Sequence, residues 1–228
     1  MSDVELVAMS HPSATTGTAN ANQFIAYVAR VSNPGNQNNV MSAPKLIRYL
    51  IRHEHWSPFE MVHITLGITT TRDISRQIIR HRSFAFQEFS QRYAVAENYV
   101  PRTARIQDEK NRQNSIDLDP EMDGHSILDA RWRRAQYEVI EKSQEVYKWA
   151  LDNGIAKEQA RAVLPEGNTE TTLYMAGSLR SWIHYCQLRT GNGTQKEHQL
   201  IAKQAWRIIS GHFPDVAEAV EWDVDDWN

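Results

Sequence analysis

Apolar and polar positions along the chain repeat with two periods, and the switches between them mark out the elements. Val4 to Met9 is a short apolar stretch that predicts an edge strand. Asn22 to Val31 has helical spacing and is stopped by Ser-Asn-Pro-Gly at 32 to 35. Ser42-Ala-Pro-Lys opens a second helix that runs to about His53, with Ser42 as its cap and Leu46, Tyr49 and Leu50 on one face. Val62 to Thr71 alternates with period two and is rich in β-branched residues, so it reads as a strand. Asp73 to Arg82 returns to helical spacing, and Phe84 to Tyr93 passes into an irregular segment.

Residues 107 to 125 are polar and almost free of large apolar side chains, which predicts a surface insertion with no core of its own. Ile127 to Asn153 is a long amphipathic helix ending at Gly154, and Lys157 to Val163 a shorter one ending before Pro165. A strand at Thr171 to Met175 precedes helices at Leu179 to Arg189 and Gln195 to Gly211. There is no internal repeat. The expectation is one α+β domain over 1–228, helix-rich around a modest antiparallel sheet, with an acidic tail at 215–228.

Composition narrows the class. A chain of 228 residues, 41% hydrophobic and 23% charged, buries a sizeable core and is neither a disulfide miniprotein nor a disordered chain. No apolar run is long enough to span a bilayer, and the start lacks a basic region followed by an apolar one, so no membrane is expected. The single cysteine, Cys186, forms no internal disulfide and fits a reducing compartment, with the cytoplasm as the expected location. A net charge of −3 argues against nucleic acid as a partner.

The distribution of that charge is uneven. Arg72, Arg76, Arg80, Arg82 and Arg92 face only Asp73 and Glu88 within their own stretch, while 215–228 holds six acids and no base. Arg72, Arg76 and Arg80 recur at i, i+4 and i+8, which puts like charges on one side of a helix. One reading is a solvated basic face with neighbouring carboxylates. The other is an anion site, because Arg80-His81-Arg82 packs three donors at a helix end and guanidinium forks match phosphate oxygens. Phe84, Phe86, Phe89 and Tyr93 are interleaved, either as plain core or as surfaces on which a planar heterocycle stacks. With the amides of Gln77, Gln87 and Gln91 the set points to a nucleotide, bound by an enzyme or by a single-strand nucleic-acid module.

Other motifs carry less. His53-Glu54-His55 has its second histidine at i+2 rather than i+4, so no metal site is expected. Gly191-Asn-Gly-Thr follows a helix and lacks a third glycine, so it reads as a turn. Cys186 lies in an apolar helical pattern with Trp182, Ile183 and Tyr185, as inert buried thiols do.

Arg80-His81-Arg82 followed by seven residues and then Ser90 resembles the flavin-dependent thymidylate synthases, and Gln77 through Tyr93 is similar to the whole signature of that family. Three further blocks agree in order. Ser57-Pro58-Phe59-Glu60 resembles the upstream Pro-Phe-Glu element, Arg161 through Leu164-Pro165 the Arg-x-x-Leu-Pro block, and Ser178-Leu179-Arg180-Ser181 through Leu188-Arg189 the last helical block. The resemblance covers about residues 20 to 215.

The resemblance implies synthesis of dTMP from dUMP, with 5,10-methylenetetrahydrofolate as carbon donor, NADPH as reductant and FAD as relay. It also implies a homotetramer with sites shared between subunits. By position, Ser57, Arg80, His81, Arg82, Glu88, Ser178, Leu179, Arg180 and His184 would contact FAD. Gln77, Ile78, Ile79, Arg80, Glu88, Phe89, Ser90, Gln91, Arg92, Arg161 and Arg189 would hold dUMP, with Arg189 the catalytic residue. A flavoenzyme acting on another nucleotide is the nearby alternative. Two positions depart from the family pattern: Met61 follows Pro58-Phe59-Glu60 where many relatives carry histidine, and His184 stands where some carry asparagine.

Overall fold

A computed structural model describes residues 2–220 and 222. Four antiparallel strands form the main sheet in the order β1-β2-β6-β3: β1 (Asp3–Met9), β2 (His63–Thr71), β6 (Glu170–Ser178) and β3 (Ala85–Glu88). β2 and β6 are central and pair over their full length, from His63↔Ser178 to Thr71↔Glu170. Period two along both strands divides the sheet into two faces. Ile64, Leu66 and Ile68 with Leu173 and Met175 are fully buried on one face. On the other, Thr69 and Thr172 meet hydroxyl to hydroxyl at 3.1 Å and Tyr174 stays exposed.

Helices cover the inner face. They are α1 (Ala21–Ala29), α2 (Ala43–Arg52), α3 (Arg72–Ile78), α6 (Leu179–Arg189), α7 (Lys196–His212) and α8 (Pro214–Val220). Trp182 on α6 anchors this layer, its indole N–H donating to the Ile64 carbonyl at 3.1 Å. Around it Ile25, Ile47, Phe59, Ile74, Trp206 and Phe213 are all buried. The helix α8 runs into 215–228, where only an acidic tail was expected; residues 221 and 223–228 of that tail lie outside the described residues.

Outside this core runs α4 (His125–Asp152), 28 residues and about 42 Å long. It makes a small second cluster through Tyr147 and Ala150 with Ala160 of α5 (Lys157–Ala160). Its buried Gln136 binds the connecting loops at three points: the carboxamide oxygen accepts from Arg102 N at 2.8 Å and Asn168 Nδ2 at 3.0 Å, and the amide donates to Arg102 O at 2.7 Å.

Several expectations require correction. Ser42 makes no capping bond to α2; its hydroxyl accepts instead from Arg30 Nη2 at 2.8 Å. The buried face of α2 is Ala43, Ile47 and Leu50, with Tyr49 51% exposed. The helix α3 ends at Ile78, so Arg80-His81-Arg82 follow it in a turn rather than closing it. The stretch expected to be irregular contains β3, paired with Leu173–Ala176 of β6. The polar segment 107–125 is entered through an ordered hairpin of β4 (Arg105–Gln107) and β5 (Ser115–Asp117).

Candidate active site

Two structural pairings govern the arginine-rich stretch. Arg72 and Arg76 on α3 converge on Glu88 at the end of β3. The Glu88 carboxylate accepts from Ser75 Oγ at 2.8 Å, Thr171 Oγ1 at 3.1 Å and Arg76 Nη1 at 3.3 Å. Arg72 Nη1 lies 3.7 Å away, close enough for an ion pair but too far for a hydrogen bond, which leaves that nitrogen buried without one. Burial lowers the Arg72 pKa, and Glu88 opposes the shift. Arg76 also reaches Glu166 at 3.3 Å. For these two arginines, the basic face with neighbouring carboxylates is the correct reading.

Arg80 and Arg82 differ. Both are exposed, and neither has a hydrogen bond or ion pair among the described residues. Between them, His81 turns inward and meets the end of α6, where its Nε2 accepts from Arg189 Nε at 2.8 Å. That geometry requires a neutral ring with its proton on Nδ1. Burial, reinforced by the Arg189 guanidinium, lowers the His81 pKa to about 4 and keeps the ring neutral near pH 7. The terminal nitrogens of Arg189 have no partner among the described residues. Gln77 on α3 is drawn to the same region through Gln195 Oε1 at 2.8 Å.

At the start of α6 a second group gathers. Ser178 caps the helix by accepting from Ser181 N at 3.2 Å, and Arg180 pairs with Glu60 at 3.0 Å. His184 stands edge-on to Trp56, ring centroids 4.6 Å apart, with its Nε2 buried and unpartnered. Ser57 and Met61 are exposed nearby in the short 3-10 helix Ser57–Met61. The Phe89–Arg92 segment forms a third group: Gln91 is buried with an unpartnered amide nitrogen, and Arg92 pairs with Glu158 at 3.3 Å. Arg161 is half-buried without a side-chain bond among the described residues.

The side chains of Ile78 and Leu179 are fully buried in the core, so each can meet a ligand only through its backbone. Phe84 and Phe86 pack on the core as well; Phe84 sits 4.8 Å from Trp182 and 5.9 Å from Tyr185 by centroid. Only Phe89 and Tyr93 of the four aromatics are exposed. Sequence reading gave no site role to Trp56, Glu60, Tyr185 or His198. Of these, His198 left a signal: a histidine on the apolar face that α7 builds from Ile201, Ala202 and Ala205.

An open cavity of about 1030 Å³ lies alongside, between the β4–β5 hairpin, the first turns of α4 and the α6–α7 turn. Three of its cations are paired within the chain, Arg102 with Asp73 at 2.7 Å, Arg105 with Glu197 at 2.6 Å and Lys196 with Asp117 at 2.8 Å. The second and third of these pairs tie the hairpin to α7.

Residues 15–215 match the family described as thymidylate synthase complementing protein. The chain is 49% identical to a probable flavin-dependent thymidylate synthase of Paramecium bursaria Chlorella virus 1, over 96% of this chain and 98% of the relative. It is 53% identical to the flavin-dependent thymidylate synthase of Synechocystis sp., over 87% of this chain and 89% of that one. The chain belongs to the flavin-dependent thymidylate synthase family. Among solved structures, a UMP/dUMP methylase from Streptomyces cacaoi bound with 5-Br dUMP superposes with a TM-score of 0.80 at 29% identity, covering 96% of this chain and 94% of that one.

A flavin-dependent thymidylate synthase must hold a flat, anionic dinucleotide, and the residues present fit one. Arg80 and Arg82 are two exposed guanidinium groups without a counterion among the described residues, and His184 offers a buried ring nitrogen that lacks a partner. Cys186 is fully buried and burial raises its thiol pKa, which removes it as a nucleophile at neutral pH.

Proposed function

We propose that Arg189 is the group that activates the pyrimidine, with FAD and dUMP held around it by the Arg80–Arg82 and Glu88–Arg92 segments. The enzyme makes dTMP from dUMP, taking carbon from 5,10-methylenetetrahydrofolate and electrons from NADPH. Bound FAD supplies the redox chemistry. The observation that carries the reading is the 2.8 Å bond from Arg189 Nε to His81, which leaves the guanidinium's other nitrogens for a ligand.

Uracil C5 is a poor nucleophile until negative charge builds in the ring. A guanidinium at N3 and O4 stabilises that charge by about 3 kcal/mol per hydrogen-bond donor in a site closed to water. Arginine stays protonated, so Arg189 polarises the ring rather than removing a proton. Arg92, Arg161 and Ser90 take the phosphate, while Ser57, Arg180 and His184 join Arg80 and Arg82 at the flavin. Glu88, engaged by Ser75, Thr171 and Arg76, serves by keeping α3 and β3 in place.

We assign the active form to a homotetramer with sites between subunits. The exposed Ile127, Trp132, Tyr137, Val139 and Trp149 on α4 and the outer face of the sheet support that assignment. No helix among the described residues is long and apolar enough to cross a membrane, which fits work in the cytoplasm.

The test is isotope transfer from labelled methylene donor into dTMP, run with dUMP and with UMP. Arg189→Ala is expected to lower kcat by about 10²–10³-fold while the visible flavin spectrum persists. An Arg189→Ala enzyme keeping most of its turnover overturns the assignment.

A further inference from the structure

Behind the Arg189–His81 bond lies a polar pair that the reaction as described does not use. Tyr185 on α6 and His198 on α7 are fully buried, with the Tyr185 hydroxyl 3.0 Å from His198 Nε2. Burying a hydroxyl and an imidazole is unfavourable unless both are satisfied, and His198 Nδ1 still has no hydrogen-bond partner. The surroundings are aromatic: Trp182 and Phe84 lie 5.6 and 5.9 Å from the Tyr185 ring. An apolar pair of similar size would fill the space without that penalty, so packing alone does not account for these residues. A directional buried hydrogen bond does what apolar packing does not, which is to select one arrangement.

The arrangement selected is that of His81. Its ring lies 4.9 Å from Tyr185 and 6.3 Å from His198, at 81° and 88° to them, and its far nitrogen accepts from Arg189. We propose that Tyr185 and His198 are positioning residues: bonded to each other, they fix the plane of the His81 ring, and that ring aims the Arg189 guanidinium. The inference rests on the reading of Arg189 as the group that polarises the pyrimidine. An arginine side chain has many rotamers, and a guanidinium tethered at Nε keeps its terminal nitrogens in one plane. Freeing the tether leaves ground-state binding largely intact but loses alignment in the transition state.

The test compares His198→Leu, which removes the bond to Tyr185, with His198→Gln, which keeps a polar atom for it. Tyr185→Phe repeats the first perturbation from the other side and serves if His198→Leu does not fold. Flavin-free protein carrying ¹⁵N-labelled histidine reports the His81 tautomer directly. The parent and His198→Gln are expected to show Nδ1–H with Nε2 unprotonated, and His198→Leu and Tyr185→Phe to drift toward a mixture. In the loaded enzyme, the Leu and Phe variants are expected to lose about tenfold in kcat, with KM for dUMP within about twofold, and His198→Gln to recover most of the rate. An unchanged His81 spectrum in both disruptive variants, or a parental kcat in both, overturns the proposal. So does a His198→Gln rate as low as that of His198→Leu. If the parent itself makes no dTMP, the functional reading fails instead, and the ¹⁵N comparison remains the test of the buttress.

Discussion

Replacing Glu88 by glutamine keeps the shape of the side chain and removes the one carboxylate on which Arg72 and Arg76 converge. The Glu88 and Arg72 side chains are 15% and 12% exposed and Arg76 is 42% exposed, so one cation is nearly dry and the other is wet. The glutamine oxygen still accepts from Ser75 and Thr171, but its NH₂ faces the Arg76 guanidinium, donor against donor. A charge-assisted hydrogen bond contributes about 1.5–3 kcal/mol, and unscreened like charges at i, i+4 cost a few tenths more. Discounting the exposed Arg76 share leaves about 2 kcal/mol. For a chain of this length that is a fall of about 4–8 °C in Tm. The assay is thermal and urea unfolding of flavin-free protein, since bound ligand would mask the difference. Glu166→Gln is the control, because Glu166 touches the same Arg76 but is 59% exposed, and about 0.5 kcal/mol or less is expected there. Equal stability losses in the two variants refute the view that Glu88 is the counterion of α3.

Three further outcomes follow from the same geometry. Gly177→Ala puts a Cβ 2.4 Å from Phe84 Cδ1, so the ring must shift against Trp182; about 1–3 kcal/mol should be lost, and a variant melting at the parental temperature refutes the contact. Cys186→Ala should keep dTMP turnover within about twofold and native protein should resist alkylation, because the thiol is buried and held protonated; a folded but inactive variant would revive a thiol mechanism. His81 and His198 have folded pKa values near 4 and 3, mainly from burial, so the unfolded chain binds more protons than the native one between those values and 6.5. Stability is therefore constant above pH 6.5 and falls as pH drops below it, by about 1.4 kcal/mol per unit for each ring; urea unfolding between pH 7 and 5.5, above the carboxylate range, should show the slope, and a flat profile excludes it.

Local chemistry made some elements legible and hid others. The strand β2 could be read because β-branched residues fill it and its alternation matches a sheet with one buried face. The end of α3 could not. Nothing between Asp73 and Arg82 breaks a helix, yet the chain must turn after Ile78 so that Ala85–Glu88 can pair with β6, and that long-range ladder overrides local propensity. The alternation of Phe84 and Phe86 with Ala85 and Gln87 was the signal for β3. Ser42 shows a different failure: a good cap residue was claimed by Arg30, a partner twelve positions away. The candidate site residues rest on resemblance, whereas the His81–Arg189 bond joins positions 108 apart and belongs to the fold alone.

The reading with neighbouring carboxylates describes Arg72 and Arg76, and the anion-site reading is the one proposed for Arg80 and Arg82. Arg72 and Arg76 have carboxylates supplied by the fold, so they stabilise α3 and β3 and are already neutralised before any ligand arrives. Arg80 and Arg82 have none within the described residues, and exposed guanidinium groups lose nothing by waiting in water. Arg189 is intermediate: one nitrogen is fixed by a neutral imidazole, which orients the cation without cancelling its charge. A carboxylate at that position would orient it equally well but would leave less field for the developing charge on a pyrimidine. Under the role proposed for Arg189, the depressed His81 pKa serves the reaction, since a protonated ring would turn the tether into a repulsion and swing the guanidinium away.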